Sequence, residues 1–515
     1  MNDVIVIGGG LAGMASALRL AERGCNVSLY ESDNRLGGKA GSIHVDKKHY
    51  SDHGYHLFPA FYLNTWALID QLGIRGNFTA DLGYRNRYFV PQKKRGGLPL
   101  MPLLFFYSLI DLMSRSDAEL EPLSVDAFFK DKFYHTERLM LRYENIVFKA
   151  LSNPTHKMSA LTVRNMVQLW LRHIDPPKIE GETRKHADRL AATASAKNSL
   201  QEMFIHPFQR AIEGAKGEVY LRHALRKIEV DEASGRVTAL HVEDLDSHAS
   251  LTLDTSDKNV IFALPPHAWP PLLKDVPRNA HTESLFGIAG LRTAPMMALD
   301  VHLKRKLPRD HMPREHLVLI GSRFHTTLLD LSELWVRGDG TPHFENSVIQ
   351  TVSADTTSLH HLSHEDIRSE LIHELLQFGI FNADDVDLEK TVFHPNFDSP
   401  LFMNDVGTHH LRMSARSGLP NGFFAGDWCH SQVDVSSMES AVTTGLLAAE
   451  EVRQTLKLGA PIPLAEVKLR PRLLWQLVRV LAVPFAWIAT VLVKRQGLAS
   501  RTDAEQVLPP RLFSP

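Results

Sequence analysis

The start of the chain carries the pattern that most constrains its fold. The apolar run Val4–Ile7 is followed immediately by the glycine-rich sequence Gly8–Gly13, and a stretch with helical spacing of apolar residues continues to about Arg23. An apolar run rich in β-branched residues is typical of a buried parallel strand. A strand, a glycine turn of the form GxGxxG and a helix, in this order, predict a unit that binds a dinucleotide.

Each glycine of this turn has its own physical task. Gly8 permits the tight turn, Gly10 lets the backbone approach a pyrophosphate, and Gly13 allows the helix to pack closely on the strand. The backbone amides and the dipole at the start of the helix favour phosphate charge. The predicted phosphate-binding residues are Gly8, Gly10, Leu11, Ala12 and Gly13.

An acidic residue stands where such a unit needs one. The segment Asn26–Tyr30 is predicted to be the second strand, and Glu31 follows it, about 20 residues beyond the glycines, where a carboxylate accepts hydrogen bonds from ribose hydroxyls. A second glycine-rich turn, Arg35–Ser42, comes next. A nicotinamide site does not need this turn, whereas enzymes with a permanently bound FAD often have it. The further predicted FAD contacts are Glu31, Ser32, Gly37, Gly38, Lys39 and Ala40.

Residues 4–42 resemble the FAD-binding fold shared by amine oxidases and carotenoid desaturases. Lys39 lies where amine oxidases usually have arginine, so the turn Gly37-Gly38-Lys39 is more similar to that of plant and cyanobacterial phytoene and zeta-carotene desaturases. The segment Ser51–Tyr62 resembles the GLHxFFGxY stretch of those desaturases. It departs from that stretch at Tyr55, Pro59 and Phe61, so substrate contacts there are expected to differ.

The resemblance implies that the Ser51–Tyr62 loop lies near the flavin ring. His53, Tyr55 and His56 are therefore the candidate catalytic residues, which would orient substrate or transfer a proton. Structural hydrogen bonds are the alternative role for these three side chains.

A second part of the FAD site is predicted near the C-terminus. Residues 421–428 and 436–445 resemble the desaturase sequence FxLAGD…ASMEGAVLSG. An apolar strand ends at a glycine that leaves room for flavin, and the next residue, an aspartate, can accept a ribityl hydroxyl. Ser436 or Ser437 is a good N-cap for a helix whose positive end would stabilise the anionic reduced flavin. The predicted contacts here are Gly426, Asp427, Met438 and Ala441.

The middle of the chain supplies the third match. Residues 217–228 resemble the family sequence GGEVRLNxxVxxI, in which the backbone at the position of Leu225 meets adenine. Residues 259–266 resemble the family sequence VIxATPP and include Ala263. Three matches in the family's order predict one FAD domain assembled from separate segments.

The predicted fold class is α/β. Composition supports a globular chain, because 44% apolar and 23% charged residues are ordinary values. The net charge of -2 argues against binding to nucleic acid, and two cysteines exclude a disulfide framework, so a reducing compartment is expected. The N-terminus shows no targeting segment. The predicted parts are a discontinuous Rossmann-like FAD-binding domain (1–95, 205–275 and 395–455), a helical, membrane-facing insert (96–204), a sheet-based substrate domain (276–394) and a membrane-associating tail (456–515).

The tail contains an apolar segment, Leu473–Val493, in which Arg479 is the one charge. Its uncharged part, Val480–Val493, is about 21 Å long as a helix, shorter than the ~30 Å hydrocarbon core of a bilayer. Trp475 and Trp487 suit a headgroup interface. We interpret the segment as an interfacial or monotopic helix on the cytoplasmic side of a membrane. A spanning helix and a buried core helix are the alternatives. Basic residues flank it: Arg470, Arg472, Lys494 and Arg495.

Two other features carry weaker expectations. The apolar run Leu98–Tyr107 is either a second membrane contact or a core helix. No metal site is predicted, because Ser363 is expected to start a helix between His360 and His364, so these histidines do not share a helical face.

The leading functional hypothesis is FAD-dependent dehydrogenation of an isoprenoid or polyene lipid. Flavin N5 takes a hydride, and the protein has to position a C–C bond and exclude water. The resemblance implies a quinone as the electron acceptor. Hydroxysqualene dehydroxylation or polyene isomerisation on the same fold is the second hypothesis and amine oxidation the third. A non-catalytic FAD-bearing membrane scaffold is the remaining class.

Overall fold

The computed structural model describes residues 2–45, 50–79, 83–88, 100–140, 142–144, 153–171, 193–309, 315–465 and 471–504. Within these residues, a five-stranded parallel sheet forms the centre of the cofactor half. It joins segments from the beginning, middle and end of the chain, which confirms the α/β class and the discontinuous Rossmann-like domain. In spatial order its strands are Gly422–Phe424, Asn259–Phe262, Asp3–Ile7, Asn26–Tyr30 and Glu218–Tyr220.

Two helices lie against each other on one side of this central sheet. Every residue of the helix Leu11–Ala21 is buried, because the sheet covers one side of it and the helix Met438–Thr455 the other. Gly445 makes the second contact possible, since a Cβ at this position would lie 2.3 Å from the carbonyl oxygen of Ala12. The N-terminal and C-terminal parts of the predicted cofactor site are therefore in direct backbone contact through these two helices.

A six-stranded sheet forms the centre of the second half. The strand Gly83–Tyr88 pairs in parallel with Glu315–Ile320, so residues 83–88 lie in this sheet although the sequence assigned them to the cofactor domain. Local sequence could not show this, because the two strands are far apart in the chain. The helix His364–Gln377 packs on the sheet and starts at Ser363, whose hydroxyl accepts a hydrogen bond from the Asp366 amide at 3.2 Å. The sheet order is Val392–His394, Met297–His302, Val348–Ser353, Thr326–Asp330, Glu315–Ile320 and Gly83–Tyr88.

The remaining elements complete these two halves. Three antiparallel strands, Ser250–Asp254, Val237–Asp244 and His223–Val230, form a small sheet beside the central one. Three two-stranded pairs are Ser42–His44 with Tyr50–Asp52, Leu57–Pro59 with Thr193–Ser195, and Thr293–Ala294 with Leu401–Phe402. Further helices are Leu63–Gln71, His206–Gly214, Trp269–Leu272 and Glu283–Gly287.

The described part of the insert is helical and has its own apolar core. The helix Leu100–Met113 contains the described part of the run Leu98–Tyr107, whose first two residues lie outside the described residues, and it packs antiparallel to the C-terminal helix Arg472–Ala504. Among the described residues, one helix is long and apolar enough to cross a membrane, over Arg472–Arg495, with a mean hydropathy of 1.9. Only 22% of the most apolar 18-residue stretch of this helix is buried, which is too little for a core helix. Further helices among the described residues of the insert include Asp117–Leu120, Val125–Phe129 and Ala160–Leu171.

Candidate functional site

Of the three fingerprint glycines in the first turn, Gly8 and Gly13 are closely packed and Gly10 faces open space. A Cβ at Gly8, where φ is +105°, would lie 2.5 Å from the carbonyl oxygen of Ala263. A Cβ at Gly13 would lie 1.9 Å from the carbonyl oxygen of Gly8. A Cβ at Gly10, by contrast, would have none of the described atoms within 4 Å. The backbone at Gly10 is therefore the part of the turn that a phosphate group can approach.

The start of the first helix is open to an anion. Gly10 is its N-cap, no side chain caps it, and the first helical hydrogen bond runs from the Met14 amide to the Gly10 carbonyl at 2.9 Å. The amides of the first turn, including those of Leu11 and Ala12, are thus available to phosphate oxygens. The second glycine turn closes the other side: a Cβ at Gly38 would lie 3.1 Å from Cα of Gly10.

Glu31 is held beside both turns by hydrogen bonds to its carboxylate. Its Oε2 accepts from the Gly9 amide at 2.6 Å, and its Oε1 accepts from the Ser32 hydroxyl at 3.0 Å. Ser32 therefore supports Glu31 in this structure. The Glu31 carbonyl accepts from the His223 amide at 2.8 Å, which brings the strand of Leu225 next to Glu31. The acid predicted for the ribose and the residue predicted for adenine are thus neighbours.

Lys39 and Asp427 form an ion pair that joins the two ends of the site. Lys39 Nζ lies 2.7 Å from Oδ2 of Asp427, and the Ser436 hydroxyl donates to the same oxygen at 2.7 Å. Burial favours a neutral carboxyl, but the ammonium and the hydroxyl outweigh it and hold the pKa of Asp427 below its usual value. Asp427 therefore stays ionised, and its Oδ1 remains an acceptor for a ribityl hydroxyl. The other predicted contacts lie next to this ion pair. Gly426 precedes Asp427, and a Cβ on it would lie 2.8 Å from Trp428 Nε1. Met438 and Ala441 lie in the first turn of the helix that Ser437 caps.

His267 is a residue that the sequence analysis missed. It follows the strand Asn259–Phe262 and lies close enough to Lys39 and Asp427 for their charges to act on it. Burial and the charge of Lys39 lower its pKa, so its imidazole is neutral at pH 7. No local motif marks this histidine, because only the fold brings it to the ion pair.

The loop Ser51–Tyr62 is tied to the second glycine turn by its two histidines. Nδ1 of His53 donates to the Gly41 carbonyl at 3.1 Å, and Nε2 of His56 donates to the Lys39 carbonyl at 3.2 Å. Burial lowers the pKa of His56 to about 4, and burial and His56 lower that of His53 well below 6.5. Both imidazoles are therefore neutral at pH 7, and Nε2 of His53 remains a hydrogen-bond acceptor.

Tyr55 connects the same loop to the six-stranded sheet. Its hydroxyl is hydrogen-bonded to Nε2 of His316 at 2.8 Å and to the hydroxyl of Thr327. Burial raises its pKa, so the phenol stays protonated. The structure places all three candidate catalytic residues at the junction of the two halves, and their catalytic roles stay predictions.

A buried polar network lies behind this loop. Asp52 accepts hydrogen bonds on Oδ1 from the Ser42 hydroxyl and from the Leu200 amide, the latter at 3.1 Å. Gln350, on the six-stranded sheet, donates to the Asp52 carbonyl at 2.9 Å and to Asp300 at 2.6 Å. These bonds fasten the cofactor half to the substrate half.

Burial raises the pKa of Asp52 from 3.8 to about 7, which predicts a pH-dependent stability. Between about pH 4 and pH 7 the folded protein keeps a proton that the unfolded chain releases, so the free energy of unfolding should fall as the pH rises through this range, by roughly 2–4 kcal/mol. Asp52→Asn keeps an acceptor oxygen for Ser42 and Leu200 but has no proton to lose. Urea denaturation of this variant across the same pH range should show that the free energy of unfolding no longer falls as the pH rises from about 4 to 7.

The control for this prediction is Asp275→Asn, which changes an exposed carboxylate. It should keep the wild-type pH dependence. An unchanged slope in Asp52→Asn would show that Asp52 is already ionised in the folded protein.

Among the described residues, one group has the make-up of a metal site: His409, His430 and Asp434, with ligand atoms within 4.8 Å of one another. The guanidinium of Arg412 is ion-paired with Asp434 and also donates from Nε to the Trp428 carbonyl at 2.7 Å. A cation is therefore already supplied by the protein, so the group is better explained as an ion-pair network than as a metal site. Burial and Arg412 lower the pKa of His430 to about 4.

The open helix start, the two facing glycine turns, Glu31 and the paired Asp427 provide contacts for pyrophosphate, ribose and ribityl groups in one continuous cradle. Together with the second, sheet-based half, this cradle defines an FAD-dependent oxidoreductase of the two-domain type. The sequence profile described as flavin containing amine oxidoreductase matches residues 11–453. The chain belongs to this family, which confirms the predicted family and FAD as its cofactor.

Individual relatives agree with this assignment. The chain is similar to the zeta-carotene desaturase of Synechocystis sp., with 23% identity over 87% of this chain and 96% of that protein. It is also similar to the 15-cis-phytoene desaturase of Solanum lycopersicum, with 22% identity over 88% of this chain and 78% of that protein. The structure of cyclohexylamine oxidase from Brevibacterium oxydans has a TM-score of 0.64 and 16% identity, and the match covers 88% of this chain and 99% of that chain. This last likeness shows the fold alone.

Proposed function

We propose that this chain dehydrogenates an isoprenoid or polyene lipid and forms a carbon–carbon double bond. The observation that carries the proposal is its similarity to zeta-carotene and phytoene desaturases over 87% and 88% of its length. The likeness is thus not limited to the cofactor-binding segments and extends through both halves of the fold.

The electrostatics of the Ser51–Tyr62 loop support an apolar substrate. His53 and His56 are neutral at pH 7 because burial lowers their pKa values, and Tyr55 is protonated. These side chains bring no negative charge that would favour a cationic amine. FAD, when bound, supplies a hydride acceptor at N5, and the second substrate hydrogen leaves as a proton. The chain has to bind the cofactor, position the substrate bond and exclude water.

The proposal includes an electron acceptor and a location. A quinone dissolved in the membrane would take the electrons from the reduced enzyme, as the resemblance to plant-type desaturases implies. The protein would act at the cytoplasmic side of that membrane, where both lipid substrate and quinone are accessible.

Anaerobic reduction of the bound flavin tests the proposed function. The FAD-loaded protein is mixed without oxygen with liposomes that carry phytoene or zeta-carotene, and its visible flavin band is followed. We expect this band to bleach and a more conjugated product to form. Addition of a quinone should then restore the band faster than addition of oxygen.

Other substrates in the same assay separate the alternatives. Bleaching by cyclohexylamine or putrescine, but not by either polyene, would replace the proposal with amine oxidation. Conversion of hydroxysqualene, or isomerisation of a polyene, without net flavin reduction would support the second hypothesis in place of dehydrogenation. A flavin that none of these compounds reduces or uses would favour a non-catalytic scaffold.

Two conservative variants test the candidate catalytic residues. His53→Gln keeps a donor for the Gly41 carbonyl but lacks the imidazole, and Tyr55→Phe lacks the hydroxyl. If these residues are catalytic, flavin reduction in each variant should be at least about tenfold slower than in the wild type, with unchanged FAD content. A structural role predicts a lower melting temperature with an unchanged rate of reduction in the remaining folded protein.

A further inference from the structure

The C-terminal helix presents a continuous apolar face to the outside of the molecule. Leu473 is 74% exposed, Leu481 65% and Phe485 64%, values found for charged surface residues rather than for large apolar ones. Exposed apolar residues of the insert adjoin them. This apolar face consists of Leu103, Phe106, Phe133, Leu473, Leu474, Leu477, Val480, Leu481, Val483, Phe485, Trp487 and Ile488. Large contiguous apolar patches on the surface of a soluble protein mark sites of interaction with another protein or a membrane.

The opposite side of the helix is packed along the protein. Trp475, Ala482, Ala486, Ala489 and Val493 repeat at spacings of three, four or seven residues and belong to the apolar core of the insert. They cover about 27 Å of helix, counted at 1.5 Å per residue. The helix thus lies along the surface of its own domain over most of its length. A helix fixed in this way fits one leaflet of a bilayer better than a crossing of both.

Polar contacts fasten both ends of the apolar segment of this helix. Gln476 donates to the Ser114 carbonyl at 3.4 Å, and Lys494 Nζ donates to the Phe133 carbonyl at 3.3 Å. The single charge inside the apolar segment is also used within the protein, because Arg479 lies 3.1 Å from the Asp111 carboxylate. Arg479 therefore does not have to reach the headgroups for a partner.

The charged side chains that the C-terminal helix contributes beside the apolar face are all basic. No acidic residue occurs in Arg472–Arg495, and Arg472, Lys494 and Arg495 are exposed at its two ends. The carboxylate of Asp111 on the neighbouring helix is 3% exposed and ion-paired with Arg115 at 2.8 Å. A helix with an exposed apolar strip, exposed cations at both ends of that strip and no carboxylate of its own over this stretch complements a bilayer that contains anionic lipid.

We propose that the apolar face docks on an anionic phospholipid surface, with the helix in the plane of the membrane and its exposed side chains in one leaflet. The site and this surface are connected through the segment after Asp427, because Val433 and Val435 pack in the same core as the C-terminal helix. The inference rests on the membrane location in the proposed function and names the surface that provides it; docking requires neither a polyene nor reduction of the flavin, so the test below is independent of the flavin assay.

Vesicle flotation with the FAD-loaded protein tests the docking. We use phosphatidylcholine vesicles and vesicles of phosphatidylcholine and phosphatidylglycerol in a two-to-one ratio. We expect flotation with the second and about tenfold weaker binding to the first. Leu481→Glu and Phe485→Glu should each reduce binding at least about tenfold, because a carboxylate is costly to bury in lipid. Leu388→Glu, at an exposed leucine outside the apolar face, is the matched control and should bind like wild type.

Several results would overturn the proposal. One is wild-type protein that floats with neither vesicle, and another is Leu481→Glu that binds as well as wild type. A stable dimer in lipid-free solution that Leu481→Glu dissociates would assign the face to a second copy of this chain. Unchanged FAD absorbance in each variant shows that folding is intact.

Depth measurements test the in-plane orientation. Both native cysteines, Cys25 and Cys429, are buried, so a nitroxide label can be directed to an introduced cysteine. Leu477→Cys, Leu481→Cys and Ile488→Cys lie on one side of the helix at spacings of four and seven residues. Equal depths at the three labels by electron paramagnetic resonance are expected. A depth that changes steadily from the first label to the last would instead show a helix that crosses the bilayer.

Discussion

Gly13→Ala is expected to abolish FAD retention and to destabilise the cofactor half by about 3 kcal/mol. The added methyl group would lie 1.9 Å from the carbonyl oxygen of Gly8. Gly8 is itself held in place, because its amide donates to the Tyr30 carbonyl at 2.8 Å and a Cβ on Gly8 would lie 2.5 Å from the Ala263 carbonyl oxygen. The ratio of bound FAD to protein and the free energy of unfolding in urea measure the two effects.

Gly214→Ala is the matched control for this prediction. Gly214 ends the helix His206–Gly214, and a Cβ there would have nothing within 4 Å. Its substitution should leave FAD content unchanged and stability unchanged or raised by up to about 1 kcal/mol. FAD binding by Gly13→Ala at the wild-type level would show that the first helix does not touch the strand turn.

Glu439→Ala is expected to lower the free energy of unfolding by about 3 kcal/mol, since it leaves buried donors without an acceptor. Glu439 is 1% exposed. Its Oε1 accepts from the Asn64 amide at 2.8 Å, and its Oε2 accepts from the Thr65 amide at 2.9 Å. Tyr62 is the N-cap residue of the helix Leu63–Gln71, but its side chain makes no capping hydrogen bond. Glu439 therefore caps the start of a helix from outside it. Thermal unfolding and urea titration measure the loss.

The same substitution should weaken the cofactor site. Glu439 follows Met438, the first residue of the helix that starts beside Asp427, so its hydrogen bonds fix the position of that helix start. We expect a lower FAD content in Glu439→Ala, measured after dialysis against cofactor-free buffer. Glu451→Ala in the same helix is the control. Its carboxylate is 31% exposed and pairs with Arg416, so its loss should cost less than about 1 kcal/mol. Equal losses in both variants would contradict the capping role of Glu439.

The cofactor half was largely predictable because its determinants are local. A turn such as Gly8–Gly13 works through backbone geometry that a few adjacent residues impose, and Glu31 follows at a distance set by one helix and one strand. The Ser437 cap is local in the same way. Partners across the fold were not predictable. Lys39 and Asp427 are 388 residues apart in the chain, and neither motif alone indicates that they form an ion pair.

The Gly83–Tyr88 strand shows why the predicted domain boundaries differ from the observed sheets. Its length and composition suit either sheet, and its place is decided by pairing with Glu315–Ile320. The Glu439 cap has the same origin, because the helix that it caps belongs to a distant segment. Such contacts depend on how separate segments pack, which a single sequence does not encode in any local pattern.

By itself the sequence determined the class of fold, the cofactor and the existence of a long apolar C-terminal helix, since each of these depends on spacing, residue type or hydropathy along a short segment. Only the tertiary structure decided the protonation of His53 and His56, because burial rather than residue type lowers their pKa values. It also decided that Arg479 pairs with Asp111 while Leu481 faces outward. Charge state and exposure are properties of the surroundings of a side chain, and those surroundings come from residues remote in the chain.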